Sequence, residues 1–213
     1  MNLETVDALL CPQLIQLLAH DSCAFLAMEK LRGISSRHAG QLADALLDAG
    51  EKNVIRRRIP LILAVSQSQI ALDALTEALK DPVFQIRFRS AHAMRQLLRD
   101  RPMLELQVDR VWSVLSVELQ VEKTEWERRR IAEEPNSSHE KQTDTSVEYL
   151  FLLLRLLLPA EPVAMAYQAL STEDRQFRGT ALEYLQTALP SATWKQIEIL
   201  IANHLVKLPR ASR

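Results

Sequence analysis

Cys11, His20 and Cys23 form C-x8-H-x2-C, the first group along the chain whose residue types suit a metal ion. A structural zinc site takes four ligands in two close pairs, and no fourth ligand accompanies these three, so no metal site is expected. The other histidines, His38, His92, His139 and His204, are scattered. No G-x-S-x-G, G-x-x-x-x-G-K or G-x-G-x-x-G stretch occurs, which leaves no signature of a nucleophile elbow, a phosphate-cradling loop or a dinucleotide fingerprint. Carboxylates are dense over 116–134, but they alternate with Lys123, Arg128, Arg129 and Arg130, as on a solvated helix face with i, i+4 pairs such as Glu125–Arg129. Trp112, Trp126 and Trp194 stand at helical spacing and read as packing residues. These residues lead us to expect a non-enzyme with no catalytic, cofactor-binding or metal-binding residue and no cofactor.

The other chemistry on offer is cationic. Residues 55–60 read IRRRIP and lie in the basic part of the chain: 51–101 carries ten Lys and Arg against five Asp and Glu, whereas 102–150 carries six against eleven. Over the whole chain the net charge is only −1, too little to draw nucleic acid or an anionic membrane by its field alone. At about 100° per residue, Ile55, Ile59, Ile62 and Leu63 define a buried arc. Arg56 and Arg58 then flank that arc and Arg57 points away from it. Flanking arginines can lay their stems over apolar surface and send the guanidinium to a carbonyl or carboxylate of a neighbouring element.

The elements that must position these side chains are helices. Four glycines are too few for the turns of a β-sandwich, and Leu, Ala, Gln, Glu and Arg fill the segments between breaks. Apolar residues recur at i, i+3, i+4 and i+7, and place helices at 2–10, 12–19, 22–32, 36–48, 53–66, 68–80, 82–100, 108–132, 145–158, 161–170, 173–188 and 191–206. Their short connections make successive helices antiparallel neighbours. Residues 135–146, PNSSHEKQTDTS, are polar throughout and read as a mobile surface loop. The most apolar run, YLFLLLRLLLP at 149–159, is about half of the roughly 20 residues a membrane span needs and carries Arg155, so it reads as a buried core helix. The opening MNLETVDALL lacks a basic region followed by an apolar run, so no signal peptide is expected. Two cysteines make no disulfide framework and fit a reducing, cytoplasmic setting.

Three of these helices share a pattern. IRRRIPLIL from 55, IRFRSAHAM from 86 and FRGTALEYL from 177 align Arg56, Arg87 and Arg178; then Ile59, Ser90 and Ala181; then Leu63, Met94 and Leu185. CAFLAMEKL joins them with Cys23, Ala27 and Leu31, and the copies beginning at 23, 55 and 86 give a period of about 31 residues. A hydrophobe followed at once by Arg on the first of two helices, with Asp or Pro just before it (Asp81-Pro82, Asp174), resembles the HEAT-repeat family. The resemblance spans nearly the whole chain, with a lapse over 101–145, and Pro60 falls where the first helices of such repeats kink. STEDRQFRGTALEYLQTALP is similar to the HEAT-type extensions of bacterial nucleotide-translocase-like transporters.

On this footing we expect an all-α fold: one domain over 1–213, a right-handed α-solenoid of about six antiparallel helix pairs. The resemblance implies first helices on a convex side and second helices lining a concave groove. Helices 36–48 and 68–80 should bury Ala39, Leu42, Ala43, Leu46, Ala71, Ala74, Leu75 and Ala78, and show His38, Gln41, Asp44, Asp48, Asp73, Glu77 and Lys80. That groove is neutral to acidic and would repel phosphate, which weighs against the alternative of a nucleic-acid binder like the HEAT-like DNA glycosylases. The outward column of the first helices holds Phe25, Arg57 and Phe88, extended by Phe84, Arg95 and Arg99. These six are the candidate partner-binding residues, of types enriched at interface hot spots. The function expected is protein–protein interaction or scaffolding in a bacterial cytoplasm, with a protein partner, no membrane span and, through the transporter resemblance, association with a membrane-bound neighbour.

Overall fold

The segments with 3.6-residue apolar spacing are helices in the computed structural model, which describes residues 10–120, 139–170, 172 and 174–205. Among the described residues there is no strand. In chain order the helices are α1 (Cys11–Leu17), α2 (Asp21–Ile34), α3 (Ala39–Leu47), α4 (Asn53–Arg56), α5 (Ile59–Leu63), α6 (Gln69–Ala78), α7 (Phe84–Asp100), α8 (Val108–Gln120), α9 (His139–Leu157), α10 (Ala160–Leu170), α11 (Arg175–Ala188) and α12 (Ser191–Leu205). Residues 2–9 of the first expected helix lie outside the described residues, as do Trp126 and the Glu125–Arg129 pair. The loop expected at 135–146 is corrected over its second part, since helix α9 begins at His139. Extending an existing helix adds one hydrogen bond per residue fixed, so the strongly apolar segment that follows can carry its helix back into polar sequence.

The chain divides into two compact units, Met1–Arg110 and Val111–Arg213, where the sequence led us to expect one array. The division falls within the stretch where the 31-residue pattern lapses.

In the first unit, α5 packs against both α2 and α7, while α6 packs against α3 and α7. The arc read from the sequence is the core: Ile55, Ile59, Ile62 and Leu63 are fully buried. So are the aligned residues Leu31, Ser90 and Met94, with Ala27 almost so. Cys23, aligned with Ile55 and Ile86, is exposed instead, and Ala24 beside it takes the buried place. Ala39, Leu42, Ala43 and Leu46 of α3 and Ala71, Ala74, Leu75 and Ala78 of α6 are buried as their spacing predicts. His38 is not shown on the outer face but buried. It precedes the first turn of α3 with φ −110° and ψ 26°, outside the helical geometry on which the face assignment rests.

Pro60 breaks the helix expected at 53–66 into α4 and α5. Proline has no N–H to return to the carbonyl four residues back, and its ring collides with that carbonyl, so the chain turns at Arg57–Arg58 and restarts with Pro60 in the first turn of α5.

In the second unit, α9 packs against α10, α10 against α11, and α12 against both α9 and α11. Residues Tyr149–Leu154 are buried, as expected of a core helix, and the Phe151 and Tyr167 rings lie 5.1 Å apart. Among the described residues no helix is long and apolar enough to cross a membrane. Helix α11 opens on an Asp174 cap, whose Oδ1 accepts from the backbone N–H of Gln176 (2.9 Å) and Phe177 (3.1 Å). Asp174→Ala should therefore lower the stability of this unit by about 1 kcal/mol in urea unfolding, the usual worth of such a cap; an unchanged midpoint would show that the cap contributes nothing.

Candidate partner-binding site

Three arginines sort themselves by what they hold. Arg56, 4% exposed, donates from Nε to the Leu46 carbonyl (2.9 Å) and pairs through Nη2 with the Asp81 carboxylate, also buried. Arg87 reaches back six residues to the Asp81 carbonyl (2.8 Å), and Arg178 reaches back six to the Thr172 carbonyl (2.5 Å). Arg87 and Arg178 therefore hold the turns that precede their own helices, whereas Arg56 ties the end of α3 to the turn before α7. Arg58 and Arg89 act across greater distances. Arg58 donates to the Leu18 carbonyl and the Asp21 carboxylate, and Arg89 donates to the Arg57 carbonyl at 2.9 Å. The hydrogen bond and charge of Arg58 hold the Asp21 carboxyl below its ordinary range, so this pair is intact above the usual carboxylate pKa and is lost as acid protonates it.

The six candidate residues have different fates. Phe25 is 71% exposed, with Leu26 beside it at 64%. Arg57 is exposed at the α4–α5 break, its carbonyl taken by Arg89. Phe84 is corrected to a buried residue: it starts α7, where the Arg87 guanidinium covers its ring at 5.4 Å and the Phe88 ring stacks at 5.8 Å. Phe88 is half-buried, with His92 edge-on at 4.7 Å. Arg95 and Arg99 stand together with Arg32 and His92 around a groove of about 320 Å³, floored by Leu61 and Ala93.

That groove has a reason in the sequence. His92, Arg95 and Arg99 follow helical spacing on one face of α7. Arg32, Ala64 and Arg95 recur 32 and 31 residues apart, the spacing of the aligned copies. The middle member contributes only a methyl group, so the two arginines stand on either side of a place left without a long side chain, and Ala64 lines it. Sequence reasoning found Arg95 and Arg99 and missed Arg32 and His92; the column Arg32–Ala64–Arg95 was the available signal.

The guanidiniums are held in place by neighbours. Arg32 Nε donates to the Leu61 carbonyl (3.2 Å) and Nη1 to Glu29 (3.2 Å), and Arg99 Nε donates to Asp100 (3.0 Å). Phe25, Glu29 and Arg32 are spaced i, i+4, i+7, so the exposed ring and the groove arginine share one stripe of α2. On α6, Asp73 accepts from Gln69 of the same helix (2.8 Å) and from Gln107 of the segment before α8 (3.2 Å), and Glu77 pairs with Arg110.

Comparison with family models, with curated proteins and with solved structures finds no match. Cys11 is buried, which pushes its thiol pKa up, whereas His20 and Cys23 are exposed. Among the described residues no three His, Cys, Asp or Glu side chains converge as a metal site would need.

Proposed function

We propose that this chain is a non-enzymatic interaction module, a right-handed solenoid of paired helices resembling HEAT repeats, that binds a partner protein with the side of α2, α5 and α7. The observation that carries the reading is the placement of Phe25, largely uncovered, on the stripe of α2 that also bears Arg32 of the basic groove. A large exposed aromatic beside several arginines is the composition of an interface centre, where apolar burial supplies affinity and guanidiniums supply orientation. The packing of α5 between α2 and α7 supports a repeat arrangement, as do the matching reaches of Arg87 and Arg178 to carbonyls six residues back. A bacterial cytoplasmic setting, with association to a membrane-bound neighbour, belongs to the same proposal and rests on the resemblance of residues 171–190.

Immobilised full-length chain should capture a partner from an extract of its source cells, and Phe25→Asp or Arg57→Glu should weaken capture by at least about tenfold, the loss of one hot-spot contact. Equal capture by both variants would remove this side of the molecule from the interface. A nucleic-acid binder would instead be retained on heparin in a salt-dependent way; passage straight through at low salt rules that alternative out.

A further inference from the structure

Around the groove of α2, α5 and α7 stand three guanidiniums and an imidazole, with no lysine and no carboxylate among its lining side chains. Guanidinium differs from ammonium in offering a planar fork of donors that matches paired oxygens. A carboxylate satisfies one such fork. A phosphate monoester presents three terminal oxygens and up to two charges, and can be shared by forks arriving from two helices. Here Arg32 arrives from α2, and Arg95 and Arg99 from α7, across the gap over Ala64. Arg32 and Arg99 each make a short-range surface ion pair, to Glu29 and Asp100 with 51% and 41% of their side chains exposed. Solvent-screened pairs of that kind contribute on the order of 0–1 kcal/mol and exchange readily for a stronger anion. The floor of Leu61 and Ala93 is apolar and raises the strength of any ion pair formed over it.

We propose that this groove is a phosphate-binding site, taking the phosphate monoester of a phosphorylated side chain on the partner or of a small phosphorylated compound. The inference rests on the interaction reading only for the carrier of the phosphate; the site itself follows from the three arginines and the gap.

Inorganic phosphate is the first probe, titrated into the full chain at constant ionic strength while the arginine Nε–Hε resonances are followed by NMR. Saturable shifts of Arg32, Arg95 and Arg99 with a Kd on the order of 1 mM are expected. The Arg95→Gln/Arg99→Gln double variant should weaken binding by at least about tenfold, the equivalent of one charge-assisted hydrogen bond. Ala64→Leu, which fills the gap and keeps every arginine, should weaken it likewise. Shifts that do not saturate, that chloride reproduces, or that persist in the folded double variant overturn the proposal. The second probe is a phosphoserine peptide set against its serine counterpart. Binding of the phosphopeptide about tenfold tighter than inorganic phosphate assigns the group to a partner chain; equal binding assigns it to a free phosphorylated compound. Ile70→Ala, exposed on α6 and outside the groove, should leave the phosphate titration unchanged; the titration needs no partner, so loss of partner capture and loss of phosphate binding are read separately.

Discussion

Asp81→Ala should destabilise the first unit by about 3–5 kcal/mol, because it strands a buried cation. The Arg56 guanidinium is enclosed between α3 and the turn before α7, where its charge is answered by the Asp81 carboxylate and its Nε–H by the Leu46 carbonyl. Removing the carboxylate leaves that charge in a place water does not reach. The same substitution also takes away the acceptor of the Val83 N–H, at 2.8 Å, which fixes the entry of α7. Urea unfolding should show the loss directly. Arg56→Met combined with Asp81→Ala should recover part of it, since replacing both partners leaves no charge unpaired. A single-variant loss below about 1 kcal/mol would mean that the pair is solvated in solution and holds nothing together.

Leu75→Ala is the second large effect, at about 2–5 kcal/mol. Leu75 is fully buried on α6, the helix that packs against both α3 and α7, so the space its side chain leaves is bounded on two sides by other helices and cannot simply collapse. Ile70 on the same helix is 53% exposed and supplies the internal control: Ile70→Ala should change the unfolding free energy by no more than about 0.5 kcal/mol. Equal losses at the two positions would contradict the burial pattern.

The core of the first unit was legible because its signal is local and periodic. Leu42, Leu46, Ile59, Leu63, Ala71 and Leu75 announce themselves by spacing alone, and all are buried. The role of the flanking arginines was legible in kind, since position on the helix dictates that a guanidinium reaches a neighbouring element. Its particular partner was not: Arg56 finds Asp81 twenty-five residues along the chain, which no local window contains. Phe84 was misplaced because Arg87 and Phe88 close over its ring, contacts that spacing does not show, and His38 because it precedes α3 outside helical geometry. The groove is the clearest case. Arg95 and Arg99 stand out as cations on one face, but a cavity is made by what is small as much as by what is charged, and Ala64 by itself carries no signal of the groove it lines.

The break at Pro60 carries a consequence for how the helices find their register. The Arg57 and Leu61 carbonyls, at and just after that break, accept guanidiniums from α7 and α2 respectively. A carbonyl that its own helix ladder does not use is the more open to a guanidinium from a neighbour. By giving up continuity, this segment becomes a receptor on both sides, and its neighbours are aligned against main-chain atoms rather than against particular side chains. The residues that lend those carbonyls can therefore change identity without loosening the join, whereas the arginines that reach them cannot.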